Sequence, residues 1–413
     1  MEFLVGNAVV GQSGGPTAAI NATLSGVIRG AMEARDNGVI NKLFGMKNGI
    51  EGFLKEDFVD LFELLDTEEK LQMLEATPAA ALGSCRRKLK NHEDDAQTYE
   101  EILRIFKKYD IRYFFYIGGN DSMDTVLKLS RYAADHDYEI RVVGVPKTID
   151  NDLVATDHTP GFGSAAKFVA TTMKEILRDI SVYSMKAVTI VEVMGRDAGW
   201  LTAAAALPSL TEKIGTDLVY LPEKPFSMER FIDDIKAVQT NHPAVLVAVS
   251  EGIRLENGEY VGADSRFVST DVFGHVHLSG AAKVLENVVK EEIGCKVRSI
   301  ELNLPQRCAS HIASLTDIKE SVLIGASAVK AAVEGKTAVM MTFVRQNTEE
   351  YSVGIECADI ASIANEIKGV PDDYINEQAN GITEKGLSYL APLIEGELYP
   401  KFEKGMPKHF VIK

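Results

Sequence analysis

Short apolar runs alternate along the chain with longer stretches whose apolar positions recur every three or four residues. The short runs are Ala8–Gly11, Tyr113–Ile117, Val142–Val145, Val188–Val193, Leu218–Leu221, Val245–Val249, Arg298–Leu302 and Ala338–Phe343. They are rich in valine, isoleucine and aromatic residues and read as buried strands. The stretches Ala18–Ala34, Tyr99–Lys108, Ser122–Ala134, Ala165–Ile180, Met228–Thr240, Gly280–Ile293 and Lys319–Val333 carry the helical period. This alternation predicts an α/β protein with mostly parallel sheets. With 413 residues there is material for more than one core. The expected architecture is two Rossmann-like three-layer lobes with a cleft between them. After about Arg345 the pattern is broken by Asn, Gly and Pro, and Tyr399–Lys413 reads as a solvated tail.

In open parallel sheets, ligands bind beyond the carboxyl ends of the strands. The residues that follow the apolar runs are unusual at five places. These are Gly11–Thr17, Gly118–Ser122, Pro146–Asp152, Met194–Asp197 and Ser250–Gly252. Gly14-Gly15 and Gly118-Gly119 each sit between a strand and a helix, where glycine lets backbone N–H groups approach an anion. Either pair alone is equally a steric turn. Asp150 and Asp152 offer carboxylates for a base or a cation, the chemistry that phosphoryl transfer to an alcohol requires. An isolated Asp-Asn-Asp is otherwise a solvated turn. Lys147 suits a transferring phosphoryl group, and spacing does not separate that role from a surface lysine. Arg196 offers a planar fork for phosphate or a structural ion pair.

Two look-alikes fail on context. Gly335-Lys336-Thr337 lacks the earlier glycine of a phosphate loop, because Lys330 holds that position, and a helix precedes it. Gly161–Ala166 fits a loose dinucleotide fingerprint but follows no strand, so no nicotinamide cofactor is expected.

Composition narrows the classes. The net charge is −16, which argues against a nucleic-acid or anionic-membrane surface. The four cysteines show no C-x-x-C pair, so neither a zinc site nor a disulfide framework is expected. No basic region followed by an apolar run opens the sequence, and no stretch reaches the roughly 18 apolar residues of a span. A cytoplasmic location without membrane or nucleic-acid partners is expected.

Together GGPT, GGNDS, PKTIDND, MGRDAGW, SEG and the Arg298–Arg307 segment, in that order, resemble the 6-phosphofructokinase family over about Val9 to Arg345. The resemblance implies a glycolytic kinase acting on fructose 6-phosphate. It implies that Asp150 is the base for the sugar 1-hydroxyl, with Lys147, Asp121 and Arg196 also in the catalytic set. Sugar-phosphate binding falls to Thr148, Asp150, Asp152, Met194, Gly195, Arg196, Glu251, Arg298 and Arg307. One of the last two arginines in this family reaches in from a neighbouring subunit, implying a homodimer or homotetramer. The phosphate donor falls to Gly14, Gly15, Arg86, Gly118, Gly119, Asp121 and Lys147. ATP-using members generally have glycine where Asp121 and Lys147 stand, so this pair resembles the pyrophosphate-dependent branch. A carboxylate at 121 would repel a further nucleotide phosphate. The resemblance also implies Mg²⁺ near Asn120 and Asp121, although Asn120 replaces a common metal-binding aspartate. Leu304 and Ala187 stand where many ATP enzymes carry a histidine and an intersubunit arginine. The implied division is a donor lobe over 1–160 completed by part of 306–345, a sugar-phosphate lobe over 161–305, and an extension over 346–413.

Overall fold

The structure, a computed structural model, describes residues 3–211, 215–262, 280–363 and 366–412. Every expected strand and helix is present, mostly with ends shifted by a few residues. The strands of the first sheet are β1 (Gly6–Gln12), β2 (Ile40–Met46), β3 (Phe58–Asp60), β4 (Ile111–Gly118), β5 (Arg141–Pro146), β10 (Val339–Arg345) and β11 (Val353–Asp359). Their order is β11-β10-β5-β4-β1-β2-β3, with only the outer strands β11 and β3 antiparallel to their neighbours. The second sheet is wholly parallel, in the order β7-β8-β6-β9. It comprises β6 (Ala187–Val193), β7 (Leu218–Tyr220), β8 (Ala244–Ser250) and β9 (Lys296–Glu301).

Both faces of each sheet are covered. In β1, Ala8 and Val10 pack against Leu24 and Ile324, while Val9 faces the opposite core with Phe53, Phe106 and Phe114. In β6, Val188 and Ile190 join Phe231 and Leu285, while Val191 and Val193 join Val169 and Leu201. Burial on both faces explains why these strands read as unbroken apolar runs. The sequence pattern missed β2, which Asn41-Lys42 interrupts, and β11, an edge strand with no fully buried residue. It also missed short helices such as Glu68–Glu75 and Glu384–Leu390.

Chain order and space part company after the second sheet. The helix Leu315–Val333 returns to the first sheet and lies along the helix Ile20–Asp36. Glycines permit the contact: a Cβ on Gly26 would meet the Val322 carbonyl oxygen at 2.0 Å, and one on Gly325 the Thr23 oxygen at 2.2 Å. β10 then pairs with β5. Beyond it, Ile375, Leu390 and Leu393 are buried in the core of the second sheet. Tyr399–Ile412 is mostly exposed, as expected of a solvated stretch; Lys413 lies outside the described residues. The two look-alike motifs are turns. Gly161, at φ 100°, opens the helix Phe162–Ile180, and Gly335 ends a helix before β10.

Candidate active site

The carboxyl ends of β1, β4, β5, β6 and β8 converge on one cleft of about 520 Å³. Two glycine turns form one wall. Gly14 takes φ 76°, a left-handed value that glycine adopts without penalty. Its loop is pinned by Ser13 N–H to the Ile117 carbonyl at 2.9 Å and by the Ser84 hydroxyl to the Gly14 carbonyl at 2.7 Å. In the second turn, a Cβ on Gly118 would lie 1.9 Å from Ser122 Oγ. The helix Asn120–Asp135 starts from Gly119 with no side-chain cap. A helix opening this way suits an anion, by its N–H groups and its dipole together.

Lys147 sits between the two turns. Its N–H bonds the Gly118 carbonyl at 2.9 Å, and its ammonium donates to the Gly15 carbonyl at 2.5 Å. It is only 2% exposed, which rules out the surface-lysine alternative. Burial holds its pKa down at about 8, against a smaller upward pull from Asp150. Arg307 arrives from the other side, with Nη1 within 3.4 Å of where a Gly15 Cβ would be. Two cations thus border one glycine turn.

The carboxylates line the floor. Asp150 is partly buried and its pKa is raised, chiefly by desolvation, with Lys147 opposing. The Thr148 hydroxyl donates to its Oδ2 at 3.4 Å. Asp152 is pushed up to about 7 by burial and then by Asp150. Glu251 is likewise pushed to about 7 by burial, although it accepts the Gly195 N–H at 3.2 Å. Gly195 has φ 133°, and a Cβ there would sit 2.5 Å from the Ala198 carbonyl oxygen. That turn presents Arg196, whose Nε is buried without a hydrogen-bond partner. An orphaned buried donor beside carboxylates with raised pKa marks a site built to receive a polar ligand.

Of the expected residues, Gly14, Gly15, Arg86, Gly119, Asn120, Asp121, Lys147, Thr148, Asp150, Asp152, Met194, Arg196, Glu251 and Arg307 line this cleft. Gly118 and Gly195 shape it from behind. Arg298 does not join them. It is exposed and lines a separate hollow with Asp179, Tyr183, Met185 and Lys296. The strand β9 carries it too far from the carboxyl ends to reach its own cleft. Lys88 was missed by sequence reasoning, and its ammonium lies 3.1 Å from the Asp121 carboxylate. The basic run Arg86-Arg87-Lys88 was the available signal. Ile367, also in the wall, gave none, since it is remote from every motif. Among the described residues no three His, Cys, Asp or Glu side chains are grouped to cage a metal. Asn120 donates through Nδ2 to the Glu366 carbonyl at 2.7 Å.

A family model described as phosphofructokinase matches residues 7–332. The chain belongs to the phosphofructokinase family. Members of this family generally use a divalent metal. The chain is 42% identical over 404 residues to a pyrophosphate–fructose 6-phosphate 1-phosphotransferase of Halomonas elongata, covering 97% of this chain and 95% of the relative. It is 41% identical to the enzyme of the same name from Methylococcus capsulatus, covering 98% and 96%. Among solved structures, the pyrophosphate-dependent phosphofructokinase of Nitrosospira multiformis superposes with a TM-score of 0.88 at 36% identity, covering 98% and 96%. The Pichia pastoris phosphofructokinase, at 19% identity and a TM-score of 0.68, shares the fold. The family match ends before β10, so the strands and turns after residue 332 lie outside it. No described helix is long and apolar enough to cross a membrane.

Proposed function

We propose that the protein transfers a phosphoryl group from pyrophosphate to the 1-hydroxyl of fructose 6-phosphate, reversibly, giving fructose 1,6-bisphosphate and phosphate. The observation that carries this reading is Lys147, a buried ammonium between two glycine turns with the Asp150 carboxylate in the same cleft. The two turns, Lys147 and Arg86 bind the diphosphate through backbone N–H groups and cations, and Arg307, beside Gly15, binds the sugar phosphate from the border of the same turn. Asp150 takes the proton of the sugar hydroxyl as the oxygen attacks. Its raised pKa brings it nearer the working pH of a base. Lys147 then faces the leaving phosphate, where developing charge is stabilised most. Arg196 satisfies its unpaired Nε on the sugar phosphate or the moving phosphoryl group. Glu251, Thr148, Asp152 and Met194 orient the sugar. The lobe built on the first sheet takes the donor, and the lobe around 161–305 takes the sugar.

Mg²⁺, when bound, would supply positive charge to neutralise the diphosphate. Asp121 and the Asn120 amide oxygen would hold it. Phosphate oxygens and water would supply the remaining ligands of such a hard cation. The Asp121 carboxylate, anchored by Lys88, repels any further phosphate and so disfavours ATP. Arg298, exposed on β9, serves a neighbouring subunit's sugar phosphate in a homodimer or homotetramer. All four cysteines are unpaired, in keeping with a reducing cytoplasm.

The test is a donor assay on the purified protein with fructose 6-phosphate and either pyrophosphate or ATP. Turnover with pyrophosphate and little with ATP is expected. Turnover that requires ATP, or none with either donor, overturns the reading.

A further inference from the structure

The turn that presents Asp150 and Asp152 holds an uncommon conformation. Asn151, between them, is fully buried with φ 54°. A non-glycine residue held there persists only where its surroundings impose the geometry. Here the restraint comes from residues more than 190 positions away. Asn151 Nδ2 donates to the Tyr389 hydroxyl at 3.1 Å, and that hydroxyl donates to the Asp157 carbonyl at 2.6 Å. The Lys368 N–H donates to the Asp152 carbonyl at 2.8 Å. The Lys368 ammonium donates to the carbonyls of Thr156 and Asp157 at 3.0 and 2.7 Å.

The same residues are tied outward. The Lys368 carbonyl accepts Trp200 Nε1–H at 2.9 Å, which joins it to the second lobe. Two residues earlier, the Glu366 carbonyl takes the Asn120 amide on the donor side. Arg345 bonds both the Asp157 carboxylate and the Tyr389 carbonyl, and stacks on the Tyr389 ring at 4.4 Å. Asp152 lines the cleft, whereas Arg345, Lys368 and Tyr389 do not. Lys368 lies outside the family match, as does Tyr389.

We propose that Lys368 and Tyr389 are positioning residues, a clamp from the C-terminal segment that holds the Asp150–Asp152 turn in its reactive geometry. Neither residue lines the cleft. Groups that bind substrate, Gly15, Arg307 and Glu251, stand on other elements and do not depend on it. Loss of the clamp therefore lowers the rate of the chemical step more than it lowers affinity, which Gly15, Arg307 and Glu251 largely retain. A misplacement of about 1 Å at a reacting group costs on the order of a hundredfold in rate. The clamp's kinetic consequence rests on the phosphoryl-transfer reading above.

The experiment compares wild type with Tyr389→Phe and Lys368→Met. Phenylalanine keeps the ring against Trp200 and Arg345, so that variant folds even if the methionine variant does not. With fructose 6-phosphate and pyrophosphate, kcat is expected to fall about ten- to a hundredfold. KM for pyrophosphate should stay within about twofold, and KM for fructose 6-phosphate should change less than kcat does. Amide hydrogen exchange should quicken across residues 150–157 and stay unchanged in β4 and β8. A purely structural role would lower the melting temperature and leave kcat per folded molecule intact. That result, or unchanged exchange at 150–157, overturns the proposal. If wild type itself shows no turnover with these substrates, the functional reading falls, and exchange at 150–157 alone decides the clamp.

Discussion

Replacing Lys147 by methionine should make the free protein more stable and nearly inactive. The stability half follows from burial. The Lys147 pKa falls from 10.5 to about 8 because its ammonium has lost water. At about 1.36 kcal/mol for each tenfold change in the proton equilibrium, the buried charge costs about 3 kcal/mol. Methionine removes that cost. It also leaves the Gly15 carbonyl without its donor, which costs about 1 kcal/mol. A net gain of about 2 kcal/mol remains near neutral pH. The sign of the pH dependence is fixed by linkage. Below about pH 8 the lysine is charged in both folded and unfolded chains, so folding bears the full penalty. Between about 8 and 10.5 the unfolded chain holds the extra proton, so wild type gains stability as pH rises. The variant's advantage should shrink across that window and change sign before its top. Denaturant titrations near pH 7 and pH 10 measure this. Pyrophosphate at a hundred times its dissociation constant should stabilise wild type by about 2.7 kcal/mol and the variant by much less. The rate should fall about a hundred- to a thousandfold, as when one preorganised donor is removed from a charged transition state. A variant that is less stable near pH 7, or whose advantage does not shrink with pH, would refute the reasoning.

Other substitutions probe the remaining parts. Asp150→Asn should reduce kcat by about a hundred- to ten-thousandfold while fructose 6-phosphate still binds by calorimetry; near-normal turnover would remove the base from Asp150. The profile of kcat/KM should rise through an acidic limb near pH 7, because Asp152 and Glu251 are held near 7 and Asp150 is raised beside them. A flat profile from about pH 5.5 to 8 would contradict that assignment. Gly26→Ala should cost about 1–3 kcal/mol in denaturant unfolding, since its methyl group meets the Val322 carbonyl at 2.0 Å. An unchanged midpoint would mean that the two helices part freely.

The sequence by itself determined the alternation of strands and helices, the two glycine turns and the acidic turn after β5. Those signals are local. Strand and helix periods show within a few turns of chain, and glycine or Asx residues announce special backbone where they stand. Because parallel strands share one carboxyl edge, the motifs could also be assigned to a common cleft before any contact was known. Only the tertiary structure decided which charged groups lose water. Lys147, which spacing could not tell from a surface lysine, is buried against Gly15, 132 positions away. Asp121 meets Lys88 across the mouth of the cleft, and Arg298 is turned away from it. The close helix pair and the Lys368–Tyr389 clamp depend on chain segments that meet across hundreds of residues. Desolvation and long-range pairing have no period along a chain, so they become visible only when the packed surfaces do.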